Sequence, residues 1–314
     1  MSPAPWTGGA GRAGLRLQPD AMADPRRALP GNAPGPWFVD DSCSGCDASR
    51  QCAPGLFVEA DGATVVARQP ETPDELRAAT RALLACPEGS IGARGVKLDL
   101  AVFPEEVEPG SGVSLAGFNS PRAYGGNAWL VRRPWGTALV DGPRFTAHLV
   151  RTLEGWGGLS DILLTHRDDL GDAEAYARHF GARVWVHEAE AAAVPFATDL
   201  LRGQAPVTLR PGLEALPVPG HTRGSVLFRL DGRFLFTGDS LFWSRGLDTL
   251  HAHRRQCWYS WPAQRASLGR LVGVDFEWVL PGHGGRAHRA APAMQAALKG
   301  LLRRMEDPAW QDAW

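Results

Sequence analysis

Lysine is nearly missing from this chain: Lys97 and Lys299 are the only two among 33 basic residues. Arginine supplies the rest, scattered in short pairs such as Arg132-Arg133 and Arg303-Arg304, which reads as genome composition rather than function. With 34 acidic residues the formal net charge is −1, so no field of one sign is present to gather nucleic acid, and none is expected as a partner. No apolar run approaches the ~20 residues needed to span a bilayer, so no membrane segment is expected. The first 35 residues, rich in Gly, Pro, Ala and Arg, contain neither the hydrophobic stretch of a secretory signal nor a periodic apolar stripe. They are expected to be disordered, and the default compartment is cytoplasmic. There the five cysteines would stay reduced and serve better as metal ligands than as disulfides.

The hydrophobic share of 44% and charged share of 21% are those of an ordinary globular protein, and 314 residues suffice for two domains. Four short signatures follow one another: Thr165-His166-Arg167-Asp168-Asp169, Pro219-Gly220-His221-Thr222, Thr237-Gly238-Asp239-Ser240 and Leu280-Pro281-Gly282-His283-Gly284. Each follows a short apolar run, at 161–165, 213–218, 233–237 and 276–280, and so reads as the exit of a buried strand. A glycine beside His221, Asp239 and His283 lets the backbone turn and aim an imidazole or carboxylate into a shared crevice. Those groups are the usual ligands of zinc, iron and manganese.

A second cluster of chemistry lies upstream. Cys43, Cys46 and Cys52 fall in one block, and Cys86 precedes Pro87 after the amphipathic stretch 72–84. Close Cys-x-x-Cys spacing lets neighbouring thiolates hold irons of one iron-sulfur cube, while a remote Cys-Pro closes the cage and turns the chain away. Residues 37–92 resemble a small single-cluster bacterial ferredoxin, including the apolar pairs Phe38-Val39, Leu56-Phe57 and Val65-Val66 that would form its short strands. In that family a third cysteine usually stands three residues after the second, where this chain has Ser49. Three outcomes stay open: a 4Fe-4S cube held by Cys43, Cys46, Cys52 and Cys86, a 3Fe-4S or labile cluster, or a vestigial fold without one. Zinc on four cysteines is a further alternative.

From about Gly95 the chain alternates strand-like runs (128–131, 138–140, 162–164, 184–186) with helical stretches (144–153, 172–180, 262–271, 290–305), which argues a layered α/β domain. With the four signatures, residues 110–306 resemble the metallo-β-lactamase superfamily. The bridge from Asp248 to Trp261 is similar to the subgroup carrying an N-terminal ferredoxin-like segment. The resemblance implies an αββα sandwich over residues 96–308, preceded by a small α+β ferredoxin-like domain over 36–95 and followed by a tail at 309–314. It also implies metal ligands. His166, His221, Asp239 and His283 match the superfamily's first histidine, third histidine, bridging aspartate and last histidine. Asp168 stands where a second histidine is usual, as in the flavodiiron branch, and Leu170 and Gly171 replace an aspartate and a histidine. Asp169 or Asp172 is then the candidate carboxylate for a second ion.

The expected chemistry is that of a metal-dependent hydrolase acting through an activated water on an ester, thioester or phosphoester, with Asp239 and Asp168 as catalytic carboxylates and a small-molecule substrate. One alternative is a non-haem iron oxidoreductase fed electrons by the N-terminal cluster, which implies a redox partner. The other is a metal-poor, non-catalytic relative. The exchange of imidazole for carboxylate shifts the expected ion from zinc toward iron or manganese. His187, His251, His253 and Cys257 are read as structural. Residues 195–211 are expected to cap the site, and Trp243, Trp258, Tyr259 and Trp261 to line its entrance or to pack.

Overall fold

The computed structural model describes residues 23–310, so residues 1–22 of the expected disordered segment, and 311–314 of the expected tail, lie outside the described residues. Residues 23–35 correct the expectation of disorder. Asp24 caps a short turn at Pro25–Arg27, and its backbone N–H donates to Asp40 Oδ2 at 2.8 Å. The Asn32 amide accepts from the backbones of Val39 and Val66, both at 3.0 Å, and donates to the carbonyls of Leu29 and Val39. One polar side chain thus pins this segment to two strands, a device without hydrophobic periodicity for a sequence reading to detect.

The N-terminal unit follows the expected strand pairs. Trp37–Val39 pairs antiparallel with Ile91–Ala93, and Phe57–Ala60 pairs with Ala63–Val66 through a tight turn at Asp61-Gly62, both with positive φ. Between them lie a short helix α1 (Ala48–Cys52) and α2 (Pro73–Ala85). The start of α2 is fixed by a capping box of Thr72 and Glu75 with Pro73 in the first turn. Trp37, Val39, Leu56, Phe57, Val66, Ala79, Ala82 and Ile91 close a small core, but Leu84 and Ala85 at the end of α2 pack into the main core. The two units are therefore joined by continuous apolar packing.

The rest is two sheets between helices, as the resemblance implied. The first has seven strands in the order Asp199–Leu201, Arg183–His187, Asp161–Leu163, Gly136–Val140, Trp129–Arg133, Val113–Leu115 and Glu105–Glu106. The second has six: Val207–Arg210, Leu213–Pro217, Val226–Leu230, Phe234–Gly238, Trp278–Pro281 and Ala287–His288. Side-chain alternation builds the layers. Leu213, Ala215, Val226, Phe228, Phe234, Phe236 and Leu280 face the core shared with the first sheet, whereas Leu216, Leu227, Leu235 and Val279 face the opposite side. There they meet Leu268 of α5 (Trp261–Gly269) and Met294, Leu298 and Leu301 of α6 (Ala291–Arg304). The first sheet is covered by Leu149, Val150 and Leu153 of α3 (Ala147–Gly155) and by Ala173 and Tyr176 of α4 (Ala173–Phe180).

Residues 195–211 do not form the expected cap: they supply one edge strand to each sheet, 199–201 and 207–210. No described helix is long and apolar enough to cross a membrane. Phe236 is fully buried between the sheets, 6.4 Å from the Trp129 ring. Replacing it with alanine is expected to cost about 3–5 kcal/mol of unfolding free energy in denaturant titration; a loss below about 1 kcal/mol would mean that the layers do not depend on this contact.

Candidate metal centre

Four strand ends deliver the site. The first sheet ends at Leu163 and leads to Thr165 and His166, while the second sends out His221 after Pro217, Asp239 after Gly238 and His283 after Pro281. His166, His221 and Asp239 offer ligand atoms that all lie within 4.8 Å of one another, and so do Asp169, Asp239 and His283. Asp239 belongs to both groups. In the first, each Nε2 of His166 and His221 stands 3.9 Å from Asp239 Oδ2, and Asp168 Oδ2 lies 3.5 Å from His221 Nε2 and 4.0 Å from His166 Nε2. In the second, His283 Nδ1 is 2.9 Å from Asp239 Oδ1 and 3.9 Å from Asp169 Oδ2.

These spacings suit a cation. Ligand atoms about 2.1 Å from a tetrahedral ion stand roughly 3.4 Å apart, close to the separations above. His166 Nε2, His221 Nε2, Asp168 Oδ2 and both oxygens of Asp169 are buried and make no hydrogen bond. So many orphaned buried atoms converging on one point is an arrangement proteins avoid unless something binds there. The donor set of imidazoles and carboxylates fits a divalent metal.

The charges confirm the crowding. Burial, assisted by His221, holds the His166 imidazole down at about 3, so it is neutral with its lone pair free. Burial opposes ionisation of Asp239, yet His283, His166 and His221 together keep its carboxyl well below the usual range. His283 is pushed up to about 10 against its burial by Asp239 and Asp169. Burial and the Asp239 charge raise Asp169 well above the usual carboxylate range. His221, then the opposing burial, leave Asp168 below it, and its side chain is 30% exposed, so this carboxylate is ionised and reachable.

Sequence reasoning missed the support beneath these groups. Asp141, buried at the end of strand Gly136–Val140, accepts from the Thr165 backbone at 2.8 Å and from Thr165 Oγ1 at 2.9 Å, and that hydroxyl is 3.0 Å from His166 Nδ1. The chain Asp141–Thr165–His166 leaves Nε2 of His166 as the free donor atom. The only signal in the sequence is an aspartate directly after a strand, which by itself is unremarkable. Gly282 is needed for a different reason: a Cβ there would stand 2.4 Å from Asp169 Oδ2. The strip Tyr124-Gly125-Gly126 closes the far side. The Tyr124 carbonyl lies 3.3 Å from His283 Nε2, and a Cβ on Gly126 would sit 3.0 Å from both Asp169 oxygens.

Asp172 is not brought to the centre; it receives the Phe145 backbone N–H and pairs with Arg122, so of the two alternatives only Asp169 faces His283. The His187 ring bonds to the Gly203 carbonyl and the Ala189 backbone N–H. His251 stacks on Trp310 and His253 on Phe242, while Cys257 donates to the Gly220 carbonyl. Of the aromatics, Trp243 is buried and Trp261 packs on Trp310, whereas the exposed Trp258 and Tyr259 flank the site, their backbone N–H groups donating to the His221 carbonyl.

Among the cysteines, Cys46 feels the charges of Cys86 and Cys43, and a Cβ on Gly125 would stand 3.1 Å from Cys46 Sγ and 3.0 Å from Pro87. Cys52 sits instead at the seam of the two cores. Cys46 and Asp169 are thus neighbours of two consecutive glycines, Gly125 and Gly126. Across the same joint Arg245 holds both oxygens of Asp47, Arg144 bonds the carbonyls of Leu84 and Cys86, and the Asn127 amide reaches Gln51.

Residues 112–293 match the metallo-beta-lactamase superfamily, and residues 39–93 match the 4Fe-4S single cluster domain of ferredoxin I. The chain belongs to the metallo-β-lactamase superfamily and carries a ferredoxin-like segment at its N-terminal side. It is 48% identical over 137 residues to the hydroxyacylglutathione hydrolase of Anaeromyxobacter dehalogenans, covering 42% of this chain and 49% of that protein. The enzyme of the same name from Acidiphilium cryptum is 35% identical over 161 residues, 49% of this chain and 61% of that one. The chain spans about half the length of these relatives. Among solved structures, the DIM-1 metallo-beta-lactamase is 18% identical with a TM-score of 0.47, covering 62% of this chain and 96% of that one.

The role given to Asp141 and Thr165 is testable. Thr165→Val keeps the side-chain shape but removes the hydroxyl, and metal affinity measured by chelator competition is expected to fall about 10–100-fold. Unchanged affinity in the folded variant would show that the hydroxyl does not orient His166.

Proposed function

We propose that this chain is a metal-dependent hydrolase that cleaves a thioester. The observation that carries the reading is the sharing of Asp239 between two groups of converging donors, in which His166 Nε2, His221 Nε2 and both Asp169 oxygens have no hydrogen-bond partner. In this reading His166, His221 and Asp239 hold one divalent ion with Asp168 beside it, and Asp169, Asp239 and His283 hold another. Such ions would supply Lewis acidity and an activated water at neutral pH. Three carboxylates against three imidazoles favour iron or manganese over zinc.

The protein's own groups do the rest. Asp239, which has ligand atoms in both groups, would help to hold either ion and would orient an activated water. Asp168, ionised and partly open to solvent, accepts its proton. A thiolate, whose acid has a pKa near ~8.5, leaves without a dedicated general acid, which suits a site where His166 is neutral and buried. The names of the relatives, hydroxyacylglutathione hydrolases, favour a thioester over the ester and phosphoester alternatives. The domain limits that go with this reading are 36–95 for the ferredoxin-like unit and 96–308 for the hydrolase, with residues 23–35 attached to the former.

One observation favours a second reading, an oxidoreductase in which the N-terminal cluster supplies electrons to the centre: Gly125 abuts Cys46 while Gly126 abuts Asp169. Metal analysis and assay of anaerobically purified protein separate the two. Hydrolysis of a small acyl thioester, lost by at least about a hundredfold in Asp239→Ala together with bound metal, is expected. The far-UV circular dichroism of that variant should match the wild type. Full metal content in Asp239→Ala would remove the assigned role of this residue. Absence of thioesterase activity, with dioxygen reduced instead, would overturn the hydrolase reading in favour of the second.

A further inference from the structure

Between His166 and Asp168 stands Arg167, a charged residue that the metal centre itself does not use. Its Nε lies 3.8 Å from Asp168 Oδ1 and 3.6 Å from Glu190 Oε2. Glu190 belongs to the short helical turn Glu188–Ala193 that follows strand Arg183–His187, and its side chain is wholly buried. Oε1 accepts the Gly224 backbone N–H at 2.5 Å, while Oε2 has no hydrogen-bond partner. The chain makes room for this carboxyl: a Cβ on Gly224 would stand 2.5 Å from Glu190 Cγ. A carboxylate taken out of water is costly unless a cation answers it. Among the described residues Arg167 is the one cation within 4.0 Å of Glu190, and an arginine is charged at any ordinary pH.

An arginine placed only to neutralise Glu190 would turn its planar fork onto the carboxylate, as Arg133 does with Asp231 and Arg183 with Asp199 through Nε and Nη2 together. Arg167 does not. The nitrogen nearest to either carboxylate is Nε, both contacts are too long for a hydrogen bond, and the side chain is 47% exposed. Its terminal nitrogens have no partner among the described residues. Arg223 lines a cavity of about 640 Å³ together with Glu188, Ala189, Pro219 and Tyr259. It too is unpaired among the described residues, but no buried carboxylate holds it.

We propose that Arg167, held in place by Glu190, is the anion-binding residue of the site and takes a carboxylate of the thioester substrate. The inference rests on the hydrolase reading and adds to it a substrate class: a small thioester carrying a carboxylate a short chain away from the scissile carbonyl. The position follows from the distances. Asp168 approaches Arg167 through Oδ1 and His221 Nε2 through Oδ2, the latter at 3.5 Å, so the width of one carboxylate separates the guanidinium from the first group of metal donors. One small molecule therefore reaches both. The unused fork presents two parallel N–H donors, the geometry that matches a carboxylate.

The test compares three thioesters on the metal-loaded full chain: the acetyl and succinyl thioesters of N-acetylcysteamine, and the acetyl thioester of thioglycolate. The wild type is expected to prefer a carboxylate-bearing ester over the neutral one in kcat/KM, and Arg167→Met to lower that preference about 10–100-fold, mostly through KM. Whether the succinyl or the thioglycolate ester is affected tells which half of the substrate bears the carboxylate. Arg167→Lys, which keeps the charge, is expected to retain part of the preference. Glu190→Gln keeps an oxygen for Gly224 but removes the charge, and is expected to raise KM for the same ester more than it alters kcat; a residue that merely filled space would lower kcat on all three esters alike. No preference in the wild type, an equal preference in Arg167→Met, or its loss in Arg223→Met instead would overturn the proposal. Failure of the hydrolase reading looks different, since none of the three esters would then be cleaved. Calorimetric binding of glutarate to the metal-loaded protein decides in that case: affinity at least about tenfold weaker in Arg167→Met is expected, and equal affinity would overturn the assignment. Arg167 is half exposed, so its variants carry the test even if Glu190→Gln fails to fold.

Discussion

A carboxylate shared between two sets of donors sets the terms for the whole domain. Asp239 lies within reach of His166 and His221 on one side and of Asp169 and His283 on the other, in a crevice where burial opposes every charge. Like and unlike charges held this close in a poorly solvated place are stable only if their positions are fixed to within fractions of an ångström. The two-layer sheet arrangement supplies that precision: His166, His221, Asp239 and His283 each follow the end of a strand whose other residues are locked into a core. Beneath them, Asp141 and Thr165 set the ring orientation of His166.

Much of this was legible in the sequence because it rests on short-range rules. Apolar runs before each signature became strands at Asp161–Leu163, Leu213–Pro217, Phe234–Gly238 and Trp278–Pro281, and the helical stretches became α3 to α6 with ends shifted by a few residues. The glycines beside His221, Asp239 and His283 signalled a close approach, which Gly282 makes against Asp169. What could not be read depends on long-range partners. Asp169 and Asp172 are equivalent on paper, and only the turn into α4 sends one to His283 and the other to Arg122 and Phe145. Asp141 carries no motif. The order of residues 23–35 hangs on the Asn32 amide, and the strands within 195–211 hang on sheet edges that other segments provide. The separate surroundings of Cys52 follow from a core that forms between two units, which local spacing does not encode.

The joint between the units explains why the N-terminal segment is more than an appendage. Leu84 and Ala85 belong to the main core, and Asp47, buried beside α1, is gripped by both Arg50 and Arg245. Arg144, itself largely buried, spends its guanidinium on the carbonyls of Leu84 and Cys86. Directional bonds of this kind around apolar packing fix orientation rather than merely holding two bodies together. Arg81 and Arg286 converge on Glu105 at the same boundary. The first sheet's edge strand therefore serves as a ledge for the upstream unit.

Gly125 and Gly126 give this joint a particular character. With no side chain on either, the backbone runs close to Cys46 at Gly125, where an added Cβ would stand 3.1 Å from its Sγ, and close to Asp169 at Gly126, where one would stand 3.0 Å from both carboxylate oxygens. Such a path has no slack. Alanine at either position would press on a sulfur or on a carboxylate rather than into solvent, so this dipeptide is where bulk is least tolerated, although neither residue carries a functional group.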